Sequence, residues 1–304
     1  MIPDTSSALI VAHPGHEIRL HGWLEQTRPL VLILTDGTGR NSPSRIAAAA
    51  NYLASINVPV GALFGRSTDQ TIYEALLRRD FQLFCALSDE LADMLVCARI
   101  NFVVGDATEG YNTTHDAFRL VLDAAVQLAE RKRGQVIADY DFPVVGLPAD
   151  CPQSLRGRAV WLNLSDEVFA RKLAAAHRYY PELVAEVTDA LARTSDGPLR
   201  RFLDLCAQGE MLDEQRCLEL FRVEVLRPCL RSMRAASCAP QMARPFYELH
   251  GEQQAAAGHY RQVIRYGEHI RPLAAALAAH AAAETDEAAQ SSHHQSHARQ
   301  ARGH

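Results

Sequence analysis

The 304-residue chain has seven cysteines, an odd number, and no two of them form a C-x-x-C pair. That argues against cysteine-ligated zinc and against a disulfide framework, and predicts free thiols in a reducing, cytoplasmic setting. No apolar run approaches the roughly 18 residues of a membrane span, and no charged-then-apolar leader precedes the first strand pattern. Lysine and arginine number 31 against 36 aspartate and glutamate, for a formal net charge of −5. With no basic surplus, no nucleic-acid partner is expected. Neither G-x-G-x-x-G nor a P-loop lysine motif occurs, and "GTGRNS" is only a glycine turn. No internal repeat is visible. What remains, 48% hydrophobic and 22% charged residues, is ordinary for a globular protein and long enough for one large α/β domain or two smaller ones.

Over residues 7–146 strand and helix patterns alternate. Ala8 to Ala12 reads as a first strand and Glu17 to Gln26 as a short helix. "PLVLILTDGTG" is a buried strand entering a glycine turn, and Ser42-Pro43 is a helix start. "VPVGALFG" and "INFVVGDA" are further strands, separated by a helical stretch over 71–97. A helix from about His115 to Lys132 follows, then a strand or hairpin in "QVIADYDFPVVG". Alternation of this kind predicts a Rossmann-like parallel sheet flanked by helices on both faces. Residues 1–160 are thus expected to form an α/β domain, and 161–281 a helical C-terminal extension packed on it. Within that extension "CLELFRVEVLRP" is expected to be helical, with Glu219, Arg222, Glu224 and Arg227 on a charged face. Residues 282–304 lack apolar periodicity and are expected to be a disordered tail, its histidines (His293, His294, His297) included.

In doubly wound sheets ligands sit beyond the carboxyl ends of the strands. Three polar clusters fall at such ends: His13 to Glu17, Thr35-Asp36-Gly37, and Asp106 to Asp116. His13, His16 and His115 come from two of these loops. Neutral imidazoles suit zinc, and three protein ligands with an open fourth position acidify a bound water. Imidazole also suits iron and copper. Taken singly, each histidine reads equally well as a hydrogen-bonded loop residue.

Ala12-His13-Pro14-Gly15-His16-Glu17 resembles the A-H-P-D-D-E motif of the PIG-L/LmbE-like zinc-dependent N-deacetylases. Thr35-Asp36-Gly37 matches that family's T-D-G, and Asn112-Thr113-Thr114-His115 lines up with its helix-opening H-P-D-H. The resemblance spans about residues 7–135, and more loosely 169–183. It implies zinc held by His13, His16 and His115, and hydrolysis of the N-acyl group of a small molecule such as an amino sugar. It also exposes departures. The family's general base falls on Gly15, its assisting histidine on Asn112, and the neighbouring aspartate on Thr114.

A relocated carboxylate is therefore sought among Glu17, Asp106, Glu109 and Asp116. Glu109 is preferred as the proton acceptor, because it lies in a glycine-containing loop. Asn112 is assigned as an oxyanion donor, and Asp36 as an acceptor orienting a ligand histidine. Each has a plain alternative: solvated loop carboxylate for Glu109, turn residue for Asp36, and helix-start charge for Asp116. A further polar group, Tyr247, Glu248, His250, Arg265, Tyr266 and His269, reads as a substrate cleft or as a salt-bridged helix. The expectation is a divergent metal-dependent amide hydrolase. The alternative is a catalytically degenerate relative that binds a metal or ligand.

Overall fold

The computed structural model describes residues 6–39, 42–192, 196–206, 218–229 and 244–283. Its centre is a seven-stranded sheet in the order β3-β2-β1-β4-β5-β7-β6. The strands are β1 (Ser7–Val11), β2 (Leu30–Thr35), β3 (Val60–Ser67), β4 (Phe102–Asp106), β5 (Ala138–Phe142), β6 (Val160–Asn163) and β7 (Val223–Pro228). The first five run parallel, while β7 is antiparallel to both β5 and β6.

The period-2 geometry of a strand explains the layering. Ala8, Ile10 and Ala12 face one apolar layer, and Leu9 and Val11 the other. The first layer is closed by α4 (Phe81–Cys97), α5 (Thr113–Arg133) and a helix over 271–283. Leu273, Leu277 and Ala281 of that last helix, spaced four apart, are all buried. The second layer is closed by α1 (His21–Thr27), α2 (Ile46–Ser55) and α6 (Asp166–Tyr179), with Trp23, Tyr52 and Phe169 in its core. The remaining helices are α3 (Asp69–Arg78), α7 (Pro181–Leu191), α8 (Pro198–Cys206) and α9 (Phe246–Ala256).

From β1 the chain winds outward through β2 to β3, then returns to place β4 on the other side of β1. That reversal opens a crevice at the carboxyl ends of β1 and β4, where the loops diverge. His13, His16 and His115 all lie there.

Several expectations need correction. Ser42 and Pro43 precede the helix, which starts at Ile46, with the Ile46 N–H donating to Ser44 Oγ. The helical stretch over 71–97 is two helices, broken where Arg79 takes a left-handed φ of 57°. "VEVLRP" is strand β7, preceded by a 3-10 turn over Leu220–Arg222, and Leu162 and Glu224 stand opposite each other in the ladder. Residues beyond 160 therefore complete the sheet, so a domain boundary at 160 cuts through β6. Residues 282 and 283 belong to the last helix, and the expected tail over 284–304 lies outside the described residues.

Candidate metal centre

Strand β1 ends in a tight turn through His13-Pro14-Gly15-His16, with Gly15 at φ +103°. The turn aims two imidazoles back into the crevice, and His115, in the first turn of α5, meets them. The ring centres lie 5.2 Å (His13–His16), 4.9 Å (His13–His115) and 4.5 Å (His16–His115) apart. All three rings are buried. Three imidazoles on one tetrahedral ion, each nitrogen about 2 Å from it, would hold their ring centres roughly 5 Å apart. As the side chains stand, no three His, Cys, Asp or Glu groups among the described residues close on a metal ion. The triad is a set of neighbouring donors, not a formed coordination shell.

Long-range partners orient two of the rings. His13 Nδ1 lies 2.7 Å from Thr35 Oγ1 and 3.1 Å from Asp69 Oδ1. Thr35 spends its own proton on the carbonyl of Ala12 at 2.9 Å, so His13 Nδ1–H is the donor, which leaves Nε2 as the nitrogen available to a ligand. His16 Nδ1 donates to Asp106 Oδ2 at 2.9 Å, and the same oxygen accepts the Ala12 N–H at 2.8 Å. A carboxylate behind an imidazole is the usual means of fixing a metal-binding tautomer. His115 Nδ1 is buried with no hydrogen-bond partner among the described residues. A buried, unpaired ring nitrogen beside two oriented imidazoles fits a cation.

Burial, followed by the neighbouring imidazoles, holds His16 and His115 well below the ordinary histidine range, so both are neutral at pH 7. Burial also raises the carboxyl of Asp106, against the pull of His115. For Asp69 burial acts upward too, but His13 beside it wins and keeps the group ionised.

The triad forms one end of a cavity of about 320 Å³. Arg19, Arg45, Tyr111 and Asn112 contribute polar wall, and Glu186 on α7 is the sole carboxylate lining it among the described residues. Arg45 Nε donates to the carbonyl of Pro14 at 3.2 Å. Arg19 gives Nε and Nη2 to the carbonyl of Val144, while its Nη1 has no partner among the described residues. Burial raises the Glu186 carboxyl, and Arg45 acts against that.

The proposed proton handlers stand elsewhere. Glu109 accepts the N–H groups of Val144 and Val145, both at 2.9 Å, and that of Gly146 at 2.6 Å. It clamps a loop and does not line the cavity, which corrects its assignment as proton acceptor. Asp36 is the turn residue of its plain alternative. Its Oδ1 accepts from Thr38 N at 3.1 Å and Thr38 Oγ1 at 2.8 Å, and Thr35 and Asp69 orient His13 in its place. Asp116 accepts Glu109 N and Gly110 N, both at 3.2 Å, and burial raises it to about 7. Glu17 accepts the Gly15 N–H at 2.8 Å and the Tyr180 hydroxyl, with burial raising it to about 6. Asn112 lines the cavity and caps α5 through Oδ1, which accepts Thr114 N at 2.8 Å, while its Nδ2 donates to the Tyr73 hydroxyl at 3.5 Å.

Gly15 has no free space for a side chain unless Leu183 turns away. A Cβ there would meet Leu183 Cδ1 at 2.4 Å and Tyr180 Cδ1 at 3.6 Å. The C-terminal polar group divides. Tyr247 and His250 line a second cavity of about 710 Å³, whereas Glu248 pairs with Arg244 and Arg265, and accepts the Tyr266 N–H. His269 Nδ1 accepts the Arg265 N–H. Asp69, Arg45 and Glu186 were missed from sequence. Only Asp69, at the carboxyl end of β3, carried the strand-end signal that marked the other clusters.

No protein-family model matches the chain, and no curated protein sequence does. Among solved structures it is similar to a deacetylase of teicoplanin biosynthesis in complex with bog, at 17% identity and a TM-score of 0.48, covering 74% of this chain and 97% of that one. It is also similar to the A40926 pseudoaglycone deacetylase Dbv21, at 18% identity and a TM-score of 0.46, covering 75% and 98%. A zinc-inhibited form of teicoplanin deacetylase Orf2 aligns at 13% identity with a TM-score of 0.39, covering 73% and 97%.

Proposed function

We propose that the chain is a metal-dependent hydrolase of N-acyl amides on small molecules, an N-acylated amino sugar being the first class to try. The observation that carries this reading is the packing of three buried imidazoles, from two strand-end loops, against a ligand-sized cavity. His13, His16 and His115 would hold the ion, zinc by the chemistry of an all-imidazole donor set. Such an ion supplies Lewis acidity and a water of lowered pKa.

The protein's own groups do the rest. Asp106, with Thr35 and Asp69, keeps two ligand rings in the tautomer that presents Nε2. Asn112 Nδ2 spends one N–H on Tyr73, and its second would donate to the oxygen that becomes negative on the acyl carbon. Glu186 is the carboxylate facing the cavity, so carboxylate-assisted proton transfer falls to it. The residue at the position of the family's base is a glycine, and losing a general base costs about 10²–10⁴-fold in rate.

One observation favours a second reading, a binding protein that keeps the metal. The space next to Gly15 is filled by Leu183 and Tyr180. Hydrolysis separates the two. Zinc-loaded protein is assayed for amine release from N-acylated glucosamines, with a chelator control. Chelator-sensitive release supports the hydrolase, and zinc binding without any release supports the binding protein.

A further inference from the structure

Beyond the triad the cavity wall changes character. Leu173 of α6, Leu183, Val184 and Val187 of α7, Val145 and Phe221 all face it, and each is only half-buried. Apolar side chains left part-exposed in a concave cleft are the usual lining of a ligand site, and the volume falls within the range of such sites. An acetyl group next to the triad would leave most of this wall wet.

Charge decides which half of an amide belongs here. Cleavage breaks the C–N bond, joins the water oxygen to the acyl carbon and sends a proton to nitrogen, giving a carboxylate and an ammonium at neutral pH. Arg45 lines the cavity beside the triad, its Nε on the Pro14 carbonyl, and has no carboxylate within ion-pair distance among the described residues. Arg19 adds a second guanidinium with an unpaired Nη1. These cations attract a carboxylate and repel an ammonium. The neighbouring larger cavity shares Tyr111 and Asn112 with this one, and carries Gln70, Tyr73, Glu74 and His250 among the apolar residues of its wall.

We propose that the cavity between α6, α7 and Phe221 is the binding site for a linear aliphatic acyl chain longer than acetyl. Its assignment as the acyl half of a cleaved amide rests on the hydrolase reading above. Binding is then read by titration calorimetry with acetate, hexanoate, octanoate and decanoate on the full chain, metal-free and zinc-loaded. Affinity should rise about fourfold per added methylene until the cavity is full. Val184→Trp and Val187→Trp, which fill the cavity from α7, should each weaken decanoate at least tenfold. Thermal melting and zinc stoichiometry are measured on both variants to establish that they fold. In parallel, N-acetyl, N-hexanoyl and N-decanoyl p-nitroanilides are offered to the zinc-loaded protein.

Decanoate binding that both tryptophans remove, with decanoyl amide the best substrate, bears out both proposals. The same binding with no amide cleaved upholds the acyl site and overturns the hydrolase. Acetyl amide cleaved with no gain from chain length, and fatty acids all bound equally weakly, overturns the acyl site and leaves the hydrolase standing. Decanoate binding that folded tryptophan variants keep places the fatty acid elsewhere, and also overturns the acyl site.

Discussion

Replacing Gly15 by aspartate would write the resembling family's A-H-P-D-x-E pattern back into this chain, and the structure predicts that it fails. The new Cβ would stand 2.4 Å from Leu183 Cδ1, closer than real contacts allow, so the Leu183 side chain must turn away and repack. Overpacking of this kind costs about 1–3 kcal/mol. The backbone at φ +103° adds a further cost of about 1–3 kcal/mol for a residue with a Cβ. The carboxylate would also enter beside Glu17, whose own oxygen already takes the Gly15 N–H. The sum, about 2–6 kcal/mol, lowers the melting temperature on the order of 10 °C for a domain of this size. Thermal denaturation followed by circular dichroism reads it, with Gly15→Asp/Leu183→Ala as the companion that removes the clash. A Gly15→Asp protein as stable as the wild type, with amide hydrolysis raised a hundredfold, would refute the reasoning.

Three more predictions concern buried charges. Asp106→Ala removes the acceptor behind His16 and should weaken zinc about 10–100-fold in a competitive chelator titration; unchanged affinity would deny that Asp106 orients a ligand. Lys172→Met should destabilise the chain by about 3–5 kcal/mol in urea denaturation, because Glu224, which also accepts the Gly22 and Trp23 N–H groups, would be left buried without its cation; a loss below 1 kcal/mol would contradict this. Burial holds the Glu109 carboxyl above its ordinary range, so its contribution is full at low pH and falls as pH rises through the raised value. Glu109→Gln cannot ionise, so the stability gap between wild type and variant should narrow from pH 5 to pH 8. A gap that widens would reverse the sign of that shift.

What the sequence made legible follows from distance along the chain. β1, β2 and β4 announce themselves as apolar runs, and α5 by its long buried face, because those patterns are local. The three histidines were legible because imidazoles have no structural reason to gather at strand ends. Their partners were not: His13 meets Asp69, and His16 meets Asp106, across separations that only the crossover connections close. Glu109 looked free because it sits beside a glycine, yet the loop 35 residues later supplies three N–H groups to it. The charged residues around β7 sit at spacings that suit a helix face as well as a strand, and only pairing with β5 and β6 reveals the strand. Leu183 filling the space beside Gly15 is likewise a tertiary fact with no local signature.

The central claim is that His13, His16 and His115 hold one metal ion. Elemental analysis of the full chain, wild type against His13→Ala/His115→Ala, tests it directly, since the histidines outside the triad are the same in both. The account predicts one zinc per chain more in the wild type than in the variant after equal reconstitution. Equal metal content in the two proteins would contradict it.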